Sequence, residues 1–191
     1  MKKMDVNIEK TGGSSIPVLD FVFLADPCHV VMDELWDKFL SVMWDGMDGN
    51  EYYKNRHGRG SYVMKMTGEG GSEVFLLFGD TNYGDGSYDW LVKGTTIKIN
   101  TSDSSGSIPV DAGLIGIISC NEEAVNAGLI DMRTPVSGKN IIKNPGEPFG
   151  HAKSISMASY DDGDFEFAVD TSPGFEREPE SEWNKGCEVD E

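Results

Sequence analysis

The residue types best suited to chemistry stand at three turns of the chain. The first turn is Asp26-Pro27-Cys28-His29, in which a thiol neighbours an imidazole. A cysteine nucleophile activated by a histidine base uses this residue pair. Neighbouring side chains of an extended chain point to opposite sides, so a structural turn with Asp26 bonded to nearby amides is the competing interpretation. Cys28 and His29 are the catalytic candidates, and Asp26 is a binding candidate.

The second turn places oxygen ligands at short intervals before a glycine. Asp80, Asn82 and Asp85 precede Gly86, and such a series suits a hard cation such as calcium or magnesium. The pattern departs by one residue from an EF-hand loop, and no bidentate glutamate follows at the required place. Asp80, Asn82 and Asp85 are therefore the metal-ligand candidates, with a plain turn as the alternative.

The third turn is Val110-Asp111-Ala112-Gly113, directly before an apolar segment. An acid at this place either lines a pocket or caps the turn. If Asp26, Asp80, Asp85 and Asp111 converge in the fold, they form a carboxylate site for Ca²⁺ or Mg²⁺, as in a metal-assisted hydrolase or a metal-stabilised binding module. The sequence leaves this convergence open.

The net charge and the absence of common catalytic motifs disfavour several classes of function. The formal net charge is −17, from 33 acids and 16 basic residues. Such a field repels nucleic acid and anionic membranes and attracts basic proteins. The chain lacks a serine nucleophile elbow, a phosphate-binding glycine loop, an H-E-x-x-H motif and a dinucleotide fingerprint. A basic protein partner is therefore expected, and direct nucleic-acid or membrane binding is not.

Length and cysteine content favour one ordinary cytoplasmic domain. A chain of 191 residues can bury a core without disulfides. Cys28, Cys120 and Cys187 are widely spaced and form no C-x-x-C pair, which indicates a reducing compartment. No run of about 18 apolar residues is present. We expect one β-rich domain over residues 1–170 and an acidic tail over residues 171–191.

Periodicity predicts an α+β, mainly β fold: an antiparallel sheet or sandwich with one amphipathic helix packed on it. Ile16–Ala25 is apolar at nearly every position, as in a central strand, and Val31–Trp44 has the apolar spacing of a helix. Asn121 is a suitable N-cap for a second, short helix. Short segments between Gly, Asp and Ser clusters predict the remaining strands, which are Ser61–Met66, Glu73–Phe78, Ser87–Val92, Thr95–Asn100, Ser107–Val110, Leu114–Ser119, Ser154–Tyr160 and Asp164–Val169.

Two segments share a pattern of turn and aromatic residues. Residues 83–92 and 160–169 align without gaps as Tyr-x-Asp-Gly-x-aromatic-acid-aromatic-x-Val. Asp-Gly is a hairpin signal because glycine accepts positive φ. The segments are either two independent hairpins or the trace of a duplicated half-domain. The segments 45–60 and 133–150 lack a period and predict irregular loops.

Four phrases occur in an order that resembles a family of uncharacterised bacterial and phage proteins. The phrases are LADPCHV, DELWDKF, GDGSY and VDAGL, within residues 16–119, and His29 stands where that family usually has tyrosine. The resemblance implies a bacterial or phage setting and a β-rich fold with one packed helix, and it transfers no activity. The binding candidates that lie in these phrases are Asp26, Trp36, Asp85, Tyr88 and Asp111.

Three functions are consistent with these features. The leading hypothesis is a non-enzymatic acidic interaction protein of phage or prophage type that binds a host or viral protein, including as a nucleic-acid mimic or anti-defence inhibitor. The first alternative is the magnesium- or calcium-dependent hydrolase or binding module. The second is a structural or decoration protein of a virion, with which a glycine-rich β pattern is compatible.

Overall fold

Two six-stranded antiparallel sheets form the body of the protein. The computed structural model describes residues 5–46, 61–81, 85–93, 95–99, 106–131, 140–143, 153–161 and 164–170. The described strands are β1 Asn7–Thr11, β2 Ser15–Pro17, β3 Phe21–Ala25, β4 Ser61–Thr67, β5 Glu73–Asp80, β6 Gly86–Lys93, β7 Thr96–Ile99, β8 Gly106–Val110, β9 Leu114–Cys120, β10 Asn140–Lys143, β11 Ser154–Asp161 and β12 Asp164–Asp170. The described helices are α1 Asp33–Met43 and α2 Glu122–Asn126, with 3-10 turns at Pro27–His29 and Glu69–Gly71.

The layers are α1, an inner sheet and an outer sheet. The inner sheet has the order β1-β4-β5-β9-β3-β10, and the outer sheet has the order β2-β11-β12-β7-β6-β8. One apolar cluster joins α1 to the inner sheet, and a second joins the inner sheet to the outer sheet. Along β3, Phe23 belongs to the first cluster and Leu24 to the second. The inner sheet is therefore covered on both faces. Two antiparallel sheets with one helix packed on them confirm the predicted α+β, mainly β class.

The α1 helix forms where the sequence period predicts it. Leu35, Phe39 and Met43 are its buried residues, one turn apart, and Asp33 in the first turn favours the positive end of the helix dipole. The Phe39 ring lies 5.9 Å from the ring of Phe78 on β5, which places the helix on the inner sheet. Burial of a side chain of this size stabilises the fold by about 1.5–3 kcal/mol.

The predicted single strand over Ile16–Ala25 is wrong. The segment contains β2, which belongs to the outer sheet, and β3, which belongs to the inner sheet. Pro17 lacks the amide needed to continue a ladder. After it, the Leu19 amide bonds to Ser119 Oγ at 2.8 Å, and the chain crosses between the layers. The near-continuous apolar run therefore forms two strands in different sheets rather than one strand.

The other predicted strands and the Asn121 cap are confirmed with small shifts of their ends. Asn121 Oδ1 accepts from the Ala124 amide at 3.0 Å. Two of the described strands were not predicted: β1, which pairs with β4, and β10, which pairs with β3 inside a segment expected to be irregular. Neither has the long alternation that marks a strand in a sequence.

The two Asp-Gly segments differ in their connections. The register Asp161↔Asp164 makes β11–β12 a hairpin, as predicted. The strand opened by Asp85-Gly86 is not part of a hairpin with β5, because β5 lies in the inner sheet and β6 in the outer sheet. Both β6 and β12 pair with β7. Most of the predicted 45–60 loop, the parts of 133–150 other than β10, and the 171–191 tail lie outside the described residues.

Gly116 lies at the most crowded point of the inner sheet. It pairs with Ala25 on one side and with Phe78 on the other. A Cβ added at Gly116 would lie 2.2 Å from the Leu77 carbonyl oxygen and 2.5 Å from Phe78 Cα. Both contacts are with backbone, so no rotamer change would relieve them.

We expect Gly116→Ala to destabilise the protein by about 2 kcal/mol or more, because overpacking of a core typically costs about 1–3 kcal/mol. The melting temperature should fall by roughly 4–8 °C. Gly12→Ala is the matched control, since a Cβ at Gly12 meets nothing within 4 Å. Thermal unfolding followed by circular dichroism compares the two variants, and equal melting temperatures would contradict this packing.

Candidate functional site: the Asp26 corner

The three turns singled out in the sequence meet at one end of the sandwich. The strand pairs Ala25↔Gly116 and Asp80↔Leu114 bring the ends of β3 and β5 to the start of β9. The pair Gly86↔Val110 brings the start of β6 to the end of β8. The first turn and the described ends of the second turn therefore flank the third turn, residues 111–113, where the chain passes from the outer to the inner sheet. We call this region the Asp26 corner.

Asp26 is the centre of the corner and is completely buried. Its Oδ1 accepts from the Cys28 amide at 3.0 Å. Its Oδ2 accepts from the amides of Asp111 at 3.0 Å and Ala112 at 2.7 Å. Burial raises the pKa of Asp26, and the backbone hydrogen bonds oppose that rise without cancelling it. Asp26 therefore fastens the turn before α1 to the β8–β9 connection.

The side chains of His29 and Asp111 lie within hydrogen-bonding distance of each other across the corner. His29 Nε2 lies 2.6 Å from Asp111 Oδ2, with the imidazole mostly covered and the carboxylate largely exposed. A carboxylate and the imidazole that it orients are two of the three members of a catalytic triad. The pair was not predicted, because 82 residues separate its members and no local pattern marks such a contact.

The surroundings of Cys28 do not favour a nucleophile. Burial, with a smaller contribution from the negative charge of Asp26, raises the pKa of the half-buried Cys28 thiol well above its ordinary range. A reactive cysteine needs the opposite, a lowered pKa beside cationic groups. Burial also raises the pKa of Cys120 to about 12. The thiols of Cys28 and Cys120 therefore stay protonated near neutral pH.

Asp80 is buried and serves the adjoining core. The Tyr62 hydroxyl donates to Asp80 Oδ2 at 3.3 Å, and the Tyr62 ring stacks on Phe78 with centroids 5.3 Å apart. The next residue, Thr81, donates its amide to the Gly113 carbonyl at 2.9 Å. The end of β5 is therefore tied to the same connection that Asp26 holds. Tyr62 was missed because tyrosine within an alternating strand indicates packing.

The four converging carboxylates do not surround a common centre. Asp26 and Asp80 point into the fold and are bonded there, whereas Asp85 and Asp111 are exposed. Within the described ranges, no group of three or more His, Cys, Asp or Glu side chains could hold a metal ion. Asn82, the remaining predicted ligand, lies outside the described residues. The described geometry gives no support to a calcium or magnesium site.

Trp36 and Tyr88, the two aromatic binding candidates, are used in packing. Trp36 is half-buried and stacks on Phe39 at 5.2 Å between ring centroids. Tyr88 is buried among the residues that join the two sheets, opposite Ile108. Both rings therefore contribute to the packing of the fold.

Comparison with known proteins adds no template for this corner. The chain matches no protein-family model, no curated protein and no solved structure. Among the described residues, no helix has the length and apolar character needed to cross a membrane. The function is therefore proposed from the contacts within this chain.

We expect Asp26→Asn to destabilise the protein by about 1–3 kcal/mol, the usual cost of leaving a buried polar group unpaired. Asp26 uses both oxygens to accept amide protons, whereas a carboxamide offers one oxygen and turns its NH₂ toward a donor. Asp89→Asn is the control, because Asp89 is exposed on β6. Urea unfolding measures both variants, and equal midpoints would show that Asp26 does not hold the corner.

The effect of Asp26 on stability should also depend on pH. Because burial raises its pKa, the folded chain binds the Asp26 proton more tightly than the unfolded chain does. This contribution is complete below the unfolded pKa of about 3.9 and is lost as pH rises through the higher folded pKa. The free energy of unfolding of the wild type minus that of Asp26→Asn should therefore be largest at acid pH and decrease toward neutrality. Urea titrations across that range would contradict this sign if the difference grew with pH.

Proposed function

We propose that the protein is a non-enzymatic binding protein of phage or prophage type, which engages a basic host or viral protein through exposed carboxylates. The observation that carries the proposal is the difference between its buried acids, which are hydrogen-bonded, and its exposed acids. The buried carboxylates Asp26 and Asp80 are engaged by amides and a hydroxyl, whereas the exposed acids of the described residues are in large excess over the exposed basic residues.

The excess is visible in the described part of the surface. The exposed lysines there are Lys10, Lys38, Lys98 and Lys153. Lys10 is paired with Asp45 at 2.8 Å, and Lys38 donates to the Val6 carbonyl oxygen. The exposed acids are Asp5, Glu9, Asp33, Glu34, Asp37, Asp45, Glu69, Asp85, Asp89, Asp111, Glu122, Glu123 and Asp170. A surface of this sign accelerates encounters with basic proteins.

The outward side of α1 is the clearest part of this acidic surface. Asp33 and Asp37 lie one helical turn apart, Glu34 adjoins them, and all three are exposed. No described residue forms an ion pair with any of the three. Carboxylates on successive turns lie about 5–6 Å apart at Cβ. In a more specific form of the proposal, they replace phosphates in the basic groove of a nucleic-acid-binding partner.

The Asp26 corner favours this class over catalysis. Its thiol has a raised pKa, and its buried carboxylate already accepts three amide protons. The His29–Asp111 pair supplies a positioned base without an activated nucleophile beside it. The corner accordingly fits a scaffold that fixes α1 and its acidic side in place.

We expect affinity capture from a nuclease-treated bacterial lysate to retain a basic protein at about 0.15 M salt and to release it at about 1 M, where the Debye length falls from about 8 Å to about 3 Å. The variant D33N/E34Q/D37N should bind about tenfold more weakly, since three exposed charge pairs contribute roughly 0.5 kcal/mol each. Release of the partner by short duplex DNA would support the groove-binding form.

The matched control is E69Q/D89N/E122Q, which removes the same charge from other elements. Binding by this control should stay close to the wild-type value. A partner that is retained equally at both salt concentrations, or a lysate that yields no basic partner at low salt, would overturn the proposal. Melting temperatures of both variants establish that weaker binding does not reflect unfolding of α1.

A further inference from the structure

The two edge strands of the outer sheet each contain a proline. Among the described strands, β2 and β8 each pair with a single neighbour, β11 and β6 respectively. Pro17 closes β2, and Pro109 lies within β8. An edge strand ordinarily presents free amides and carbonyls on which another strand can pair.

The neighbouring hydrogen bonds show which way Pro17 faces. The Val18 amide donates to the Lys153 carbonyl at 2.9 Å, and the Met157 amide donates to the Ser14 carbonyl at 2.9 Å. Antiparallel residues alternate between bonded and non-bonded pairs, so Pro17↔Ser154 is a non-bonded pair. The backbone nitrogen of Pro17 therefore points to the open side of β2, where it has no proton to donate.

The same alternation determines the direction in which the backbone nitrogen of Pro109 points. It stands opposite Ser87, and its nitrogen cannot donate to β6, so this is also a non-bonded pair. The groups of β8 that face the open side come from Ser107 and Pro109. Ser107 offers an amide and a carbonyl, whereas Pro109 offers a carbonyl alone.

We infer that Pro17 and Pro109 block strand addition at the two edges of the outer sheet and so prevent this sheet from pairing with a second copy of the chain. A strand that approached β8 would find one amide donor where a regular edge of this length presents two. Its own opposing carbonyl would be desolvated without a partner, a loss that disfavours pairing. A partner that approaches either edge of the outer sheet must then be met by side chains rather than by backbone pairing.

The test compares Pro109→Val and Pro17→Val with the wild-type chain by sedimentation velocity over a concentration series. Valine restores the missing amide and suits a strand. Ala168→Val is the matched control, because it adds valine at an exposed position of β12, which has neighbours on both sides. We expect each proline variant to self-associate with a dimer dissociation constant about tenfold or more below that of the wild type, and the control to behave as the wild type does.

Two outcomes would overturn the inference. One is that both proline variants retain the wild-type circular dichroism spectrum and melting transition yet associate no more than the wild type. The other is that Ala168→Val associates as strongly as they do, which would assign the effect to apolar surface. Protection of the amide at position 109 from hydrogen exchange at high Pro109→Val concentration would locate the new contact at β8.

Discussion

The inner sheet is buried on both faces, and this constraint governs the rest of the structure. With α1 on one side and the outer sheet on the other, the backbone at the ends of β3, β5 and β9 has little access to water. Unpaired amides in such a place would be costly. One carboxylate, Asp26, accepts three of them. A carboxyl group is thereby placed where an apolar side chain would leave donors unsatisfied, and its burial raises its pKa.

The same constraint explains why the fold class could be predicted from the sequence. Strands covered on both faces are apolar almost throughout, as in β9, where all seven residues are buried. The α1 helix covers one face and has the corresponding period. The assignment of β2 and β3 to different sheets could not be predicted, because both sheets require apolar residues there. The short edge strands β1 and β10 lack a pattern, since β1 buries one side chain.

The candidate site was predictable in its location but not in its use. Asp-containing turns placed Asp26, Asp80, Asp85 and Asp111 correctly at strand ends, and strand pairing brought those ends together. Whether a carboxylate then faces inward depends on a difference of one residue in register. Asp80 lies inside beneath Tyr62, whereas Asp111 is exposed beside His29. No local sequence pattern reveals long-range partners such as Tyr62 and His29. The sequence therefore could not decide whether these turns bind a metal ion or support α1.

The protonated state of Cys28 and Cys120 has a consequence for the setting in which the protein persists. Disulfide exchange and oxidation to sulfenic acid both proceed through the thiolate. Because burial raises the pKa of both thiols, almost none of either cysteine is in the thiolate form near neutral pH. The thiols of Cys28 and Cys120 should therefore remain reduced in air-equilibrated buffer as well as in a reducing cell.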